Sequence, residues 1–476
     1  MTYLQRTIIL ILCVFAVSQA QIDRTKKPEP KKTPALKLPA IQHATLSNGL
    51  KIMLVEHHEL PVVQMQLVLR SGSALDPAGK SGIALLTAQM ADEGTTKRDA
   101  LKIADDLDFI GANLSVGSSD DATFASLLTI KEHLAPALDI YADVIQNASF
   151  PEKEWDRLKK SHLASLLAQK DQPAPVASNV FAKVTYGANH PYGSPSQGTE
   201  SSVTAITLDD LKSYYQAHYR PNNGTLIVVG DVTMKEITPK VERHLGGWKK
   251  GMAPKPAFPK APTVEATRIF LVDKPEAAQS EIRIGHVGAP RGTKDYFALT
   301  VLNTILGGQF SSRINMNLRE TKGYTYGARS SFVMIKEAGP FVASSAVRTN
   351  VTDSSVIEFM NELRKVVAED VTEQELEFAR NSLIRRQAQS FETPGQIAGQ
   401  LMSLVLYDLP DTYFNTYVQE FERITVADVR RVARSYIHPE KSNIVIVGDV
   451  ASIRSGLEKL GYGAAKVLSP EGAMIQ

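Results

Sequence analysis

Three groups of residues in this sequence have types and spacing that could do chemistry. The first is histidine. The run Glu56-His57-His58-Glu59 sets two imidazoles between two carboxylates. Adjacent residues on a strand point to opposite faces, however, so neighbouring histidines rarely share one ion. A polar β-hairpin loop is the expected role. His190, in "HPYG", is a lone loop histidine before proline and reads as a structural hydrogen-bonding residue. His162 lies on a helical segment with no partner at i+3 or i+4. The second group is "LRETKGYTYG", which offers Arg319 with Tyr324 and Tyr326. A guanidinium can hold carbonyl groups, and a phenolic hydroxyl can donate to a developing oxyanion. Taken alone, Arg319 reads as a surface ion-pairing residue and Tyr326 as an aromatic strand position. The third is "GIALLTAQMADEGTT", Gly82 to Thr96. Ile83, Leu86 and Met90 follow helical spacing, and the positions facing the other way hold Leu85, Ala88 and Gln89, none able to ligate a metal.

Other chemistries leave no mark. Both "VGDV" pieces end strands but lack a phosphate-binding glycine fingerprint. No Ser/His/Asp arrangement stands out in the chain order. Lys and Arg total 53 against 51 Asp and Glu, so there is no electrostatic case for nucleic acid or an acidic membrane.

The elements that must position these residues follow from the rest of the 476-residue chain. Residues 1–20 carry one positive charge, Arg6, then an apolar run from Ile8 to Val17, with Ser18 and Ala20 as the small residues of a cleavage site. That pattern predicts a signal peptide removed near Ala20 and a secreted chain, periplasmic in a Gram-negative source. The run is too short for a comfortable membrane span, and an uncleaved anchor is the alternative. The only cysteine, Cys13, lies inside it, which excludes disulfides, thiol catalysis and Cys-based zinc sites from the mature chain. Residues 21–40, rich in Lys and Pro, read as an extended linker. No second long apolar segment follows, so no membrane span is expected in the mature chain.

From residue 41 onward the chain repeats itself. "GTLIVVGDV" returns as "NIVIVGDV", with Gly230 and Gly448 lying 218 residues apart. "ITLDDL" matches "ITVADV" at the same offset, both as Thr-x-x-Asp capping boxes at Thr207 and Thr425. "KIMLVE" matches "RIFLVD", and Glu154 matches Glu375. A period above 200 residues means two homologous domains rather than a solenoid. The expected division is 41–248, a Pro/Lys-rich linker at 249–262, 263–465 and a tail at 466–476. The expected class is α+β, each domain a largely antiparallel sheet covered by helices on one face.

Two such halves resemble the inverted zincin metallopeptidases: pitrilysin, insulysin and the mitochondrial processing peptidase. "LSNGLKIMLVEHHELP…", "HPYG" and "YRPNNGTLIVVGDV" carry the likeness in the first half, and "ALTVLNTILGGQFSSRINMNLRETKGYTYGARSSF" in the second. In that family an H-x-x-E-H helix binds zinc and activates water. On this chain the first His falls on Leu85, the Glu on Ala88 and the second His on Gln89. The helix expected to supply a third ligand, "SHLASLLAQK", has no acid from Ser161 to Lys170. The resemblance therefore implies a degenerate motif and no metal or other cofactor bound by this chain. Arg319 and Tyr326 match the family's Arg/Tyr pair at i, i+7, which reaches the active site from the domain opposite the zinc. The same comparison makes Gly307 and Gly308 candidate substrate-loop residues, against their commoner use as a helix cap and turn. The implied function is a non-zinc subunit of a metallopeptidase heterodimer, inactive alone. Its partner would be a similar exported chain with an intact H-x-x-E-H helix and its own zinc. The peptide substrate would extend a sheet edge, with Asn113–Ile130 the expected strand pair. The alternative is a catalytically inactive peptide-binding or structural subunit of the same fold.

Overall fold

The computed structural model describes residues 40–475. The expected signal peptide, and all but the last residue of the expected 21–40 linker, lie outside the described residues. The first half contributes β1 (Gln42–Thr45), β2 (Lys51–Glu56), β3 (Val62–Leu69), β4 (Asn113–Ser118), β5 (Thr123–Ile130) and β6 (Gly224–Gly230). Its helices include α1 (Ile83–Met90), α2 (Leu134–Asn147), α3 (Glu152–Lys170) and α4 (Pro173–Tyr186). The second half supplies β7 (Arg268–Asp273), β8 (Gln279–Val287), β9 (Ala328–Phe332), β10 (Pro340–Arg348), β11 (Asn443–Gly448) and β12 (Lys466–Leu468). The helices α5 (Tyr296–Leu306), α6 (Thr352–Ala368), α7 (Glu373–Gln389) and α8 (Pro394–Tyr407) follow the same sequence of roles.

Two six-stranded sheets result, in the orders β1-β2-β6-β3-β5-β4 and β12-β7-β11-β8-β10-β9. Five strands of each sheet share one plan. The parallel pair β2/β6 corresponds to β7/β11, and each continues through three antiparallel pairings that end on an outer strand, β4 or β9. The sixth strand breaks the symmetry: β1 is antiparallel to β2, whereas β12 is parallel to β7. The α+β, largely antiparallel architecture read from the repeat is present, and the second sheet takes in Lys466–Leu468 from the expected tail. Both Thr-x-x-Asp boxes form as read: the Thr207 and Thr425 hydroxyls accept from the backbone of Asp210 and Asp428, whose carboxylates return the contact.

Within each half the helices cover one face of the sheet, as expected, and the opposite face is covered from the other half. Residues Ile52 to Val55 of β2 are buried without alternation, which requires cover on both sides of the sheet. Ile52 and Leu54 pack into their own half's core, with Val63, Leu127, Leu138 and Val228. Met53 and Val55 turn the other way, onto Ile397, Ala398 and Leu401 of α8 from the second half. The converse holds in the other sheet, where Phe270, Val272, Val445 and Val447 meet Val176, Ala177, Val180 and Phe181 of α4. Each half thus lends one helix to close the other half's sheet. Apolar burial of this kind contributes roughly 1.5–3 kcal/mol per large side chain, so the halves hold each other in place. Trimming Ile397 to Val is expected to lower unfolding free energy by about 0.5–1.5 kcal/mol. Denaturant titration measures it, and an unchanged midpoint would contradict a packing role for α8.

Among the described residues, no helix is long and apolar enough to cross a membrane.

Candidate functional site

In the second half, α5 stops at Gly307, and the reason is steric. A Cβ at Gly307 would lie 2.2 Å from the backbone nitrogen of Ser330 on β9. With no side chain in the way, the Gly307 carbonyl accepts a hydrogen bond from that nitrogen at 3.1 Å. Gly308 continues the turn, its N–H donating to the Asn303 carbonyl at 2.7 Å. The chain then presents Phe310, 60% exposed, and enters a π-helical turn over Met316–Thr321 that carries Arg319. Such turns interrupt regular helix and recur at functional positions. The Arg319 guanidinium carbon sits 4.7 Å from the Phe310 ring centroid, and its Nε lies 3.2 Å from the Glu320 carboxylate. Stacking on an aromatic face orients the planar guanidinium and leaves donors free at its edge.

Tyr326 is 90% exposed. It lies on an irregular bend before β9, close to Tyr324, and not at the strand position expected for it from sequence. Backbone anchors flank it on both sides. The Thr325 hydroxyl donates to the Ala346 carbonyl at 2.6 Å and accepts from the Gly327 N–H at 3.0 Å. Buried Ser345 contacts the Thr325 hydroxyl and the Gly327 carbonyl, each at 2.9 Å. Asn315, also buried, joins the two segments: its Nδ2 donates to the Phe310 carbonyl at 2.6 Å, and its Oδ1 accepts from Ala328 N–H at 3.1 Å. Gly307, Gly308, Phe310 and Tyr326 share the wall of one open cavity of about 740 Å³. Arg319 reaches that wall through Phe310.

Arg313 starts the turn and fixes it to α7. Its guanidinium bonds both carboxylate oxygens of Glu375, at 2.6 and 2.8 Å, and this holds the Glu375 pKa down at about 2. A carboxyl depressed on folding stabilises the native state above its unfolded pKa and loses that contribution as pH falls through the folded value. The stability gap between wild type and Glu375→Gln is therefore expected to be full above about pH 4.5 and to close towards about pH 2. Unfolding titrations across that window measure it, and a gap that stays constant with pH would contradict the pairing. In the first half the matching contact has its charges rearranged: Arg157 bonds both Glu93 (2.5 Å) and Glu154 (2.7 Å).

The first-half helix α1 does form over the degenerate motif. Leu85 and Gln89 share its half-exposed face, but Ala88 is wholly buried. The expectation that all three face away from the core is corrected, because an eight-residue helix between sheet and α3 has a broad covered face. Gln89 opens on a cleft of about 420 Å³, with Ser161, His162 and Ser165 of α3 and Leu114–Val116 of β4 around it. Asp92 is in the same lining, and burial raises its pKa to about 6. Among the described residues, β4 is the outer strand of its sheet, paired only with β5.

Comparison with known proteins follows this division. The family described as Insulinase (Peptidase family M16) matches residues 51–199, and the one described as Peptidase M16 inactive domain matches residues 205–383. The chain belongs to peptidase family M16. Bacillus subtilis YmxG, named an uncharacterized zinc protease, is 27% identical over 72% of this chain and 82% of its own length. A Mycobacterium tuberculosis protein of the same description is 25% identical over 90% of this chain and 98% of its own. The crystal structure of a peptidase M16 inactive domain from Pseudomonas fluorescens superposes with a TM-score of 0.81 at 28% identity, covering 86% of this chain and 98% of that one. A Helicobacter pylori protease reaches the same TM-score at 22% identity, over 87% and 100% of the two chains, and shares the fold.

The residues of this M16 chain do not fit the zinc ion of the family's H-x-x-E-H helix. Leu85 and Ala88 carry no donor, Gln89 is a neutral amide, and of the two acids in the cleft lining, Asp92 and Glu93, Glu93 is engaged by Arg157. Among the described residues, no group of three or more His, Asp, Glu or Cys side chains converges as a metal site. The histidines have other partners. His162 Nε2 donates to the Gln197 carbonyl at 2.8 Å. His190 is buried, and its Nδ1 accepts from Tyr192 N–H at 3.0 Å. His58 lies between Asp231 (2.6 Å) and Glu56 (3.0 Å), which raise its pKa. The loop holding His57 and His58 is no hairpin, because β6 lies between β2 and β3. Sequence reasoning missed Phe310, Asn315 and Ser345. Only the proximity of Phe310 to the glycines in the chain was available as a signal for any of them.

Proposed function

We propose that this M16 chain is the exported non-zinc subunit of a zinc metallopeptidase heterodimer. It binds peptide and presents Arg319 and Tyr326 to the zinc site of a similar exported chain with an intact H-x-x-E-H helix. The observation that carries this reading is Tyr326: a tyrosine 90% exposed on a backbone anchored by Thr325, Gly327 and Ser345. Fold stability gives no reason to hold an unpacked phenol so firmly. A site completed by another chain does.

The partner's zinc supplies an activated water when bound. On this chain, the Tyr326 hydroxyl donates to the peptide carbonyl oxygen as negative charge builds on it during attack. Arg319, oriented by Phe310, holds a neighbouring carbonyl. The alternative, an inactive peptide-binding subunit, draws on a different observation. The outer edge of β4, unpaired among the described residues and beside the zinc-less cleft, can accept an extended backbone without any cleavage.

Coexpression with an exported M16 chain bearing H-x-x-E-H decides between them. Chelator-sensitive peptide cleavage should appear for the copurified pair and be absent from either chain alone. Robust cleavage by this chain alone, or a pair no faster than the zinc chain, would refute the subunit reading.

A further inference from the structure

The cavity beside Tyr326 has a feature that the Arg/Tyr pair leaves unused. Strand register places Arg283 of β8, Ser344 of β10 and Arg329 of β9 in one cross-strand row, and hence on one face of the sheet. Ala346, two residues beyond Ser344, lies on that face opposite Glu281. Helix α4 covers this face over β11 and β8, and its first turn ends at the cavity wall with Ala174. Beyond it, β10 presents only Ser344 and Ala346, whose small side chains leave the cavity floor low.

The charges of this floor do not balance locally. Glu281 is neutralised by Arg283, with Nη1 to Oε1 at 2.5 Å and both side chains largely covered. Arg329 is exposed on the opposite wall and makes no hydrogen bond or ion pair among the described residues. The cavity thus holds one satisfied ion pair and one uncommitted guanidinium, on an outer strand a few residues from Tyr326. A guanidinium presents a rigid fork of donors that matches a carboxylate in two-point geometry.

We propose that Arg329 makes this cavity a carboxylate-binding subsite for the peptide. The group it takes is either an acidic side chain or the peptide's own C-terminal carboxylate. The inference rests on the reading that peptide occupies this cavity, and it names the substrate class. Arg329 binds substrate and takes no part in the bond-breaking step.

The test uses the purified chain and three fluorescein-labelled peptides of one neutral sequence. The first carries an internal Asp and an amidated end, the second a free C-terminus without Asp, and the third an amidated end without Asp. Fluorescence anisotropy should show one or both carboxylate peptides binding about tenfold or more tighter than the neutral amide, the scale of one charged hydrogen-bonded contact. Comparing the first two identifies which carboxylate is read. Arg329→Gln should erase the preference and Arg329→Lys should restore part of it, with circular dichroism unchanged for both. Equal binding of all three peptides, a preference that survives Arg329→Gln, or no peptide binding would overturn the proposal. The catalytic reading fails separately. If Tyr326→Phe leaves turnover of the assembled pair intact while Arg329→Gln erases the carboxylate preference, the subsite stands and the subunit mechanism falls.

Discussion

Assembled with the proposed zinc-bearing partner, a Tyr326→Phe chain is expected to turn over peptide about a hundredfold more slowly, the scale for one oxyanion donor. The substitution removes one hydroxyl and keeps the ring. Because the side chain is 90% exposed, it removes almost no packing. Thermal stability and copurification with the partner should therefore match wild type, which separates a chemical effect from a folding effect. The loss should fall on kcat rather than KM, since the contact strengthens only as charge develops on the carbonyl oxygen. Tyr324→Phe is the control. It sits two residues away on the same bend, and turnover should change by less than about twofold, because one phenol suffices to donate to one oxyanion. Normal turnover by Tyr326→Phe would remove Tyr326 from the mechanism.

Arg319→Ala is expected to lower kcat/KM of the same pair by roughly ten- to a hundredfold, the range for one charged hydrogen bond. The ring of Phe310, 4.7 Å away, orients a planar guanidinium. Arg319→Lys should not restore activity, because an ammonium neither stacks as a plane nor offers a two-donor fork. Combined with Tyr326→Phe, the loss should be smaller than the product of the single losses, since both residues act on one carbonyl region. A double variant whose losses multiply fully would show that the two residues serve separate steps. An Arg319→Ala pair with unchanged kcat/KM would show that the guanidinium only packs against Phe310.

Much of this architecture was legible along the chain because its causes are local or periodic. The "GDV" strands, the Thr207 and Thr425 boxes and the Glu154/Glu375 match reported a duplication, since each is a short element whose residues satisfy one another within a few positions. The erased metal helix was legible for the same reason: a ligand set is a list of side-chain types, and Leu85, Ala88 and Gln89 lack them. Depth was not legible. Whether Ala88 faces inward depends on how wide a face α3 and the sheet cover, which no residue of α1 specifies.

The same distinction separates the two sources of information throughout. Residue order determined the domain pair, the α+β class, the vacancy of the zinc motif and the candidacy of Arg319 and Tyr326, all of which rest on contacts or resemblances within short windows. Packing between distant segments determined the rest. It crossed α4 and α8 between the halves, left β4 and β9 as outer strands and joined Phe310 to Ala328 through Asn315. It also left Arg329 on a cavity wall without an ion pair among the described residues. Each of these depends on which surfaces meet after both sheets have formed. The free energy that selects them comes from apolar faces and buried polar atoms contributed by residues tens to hundreds of positions apart.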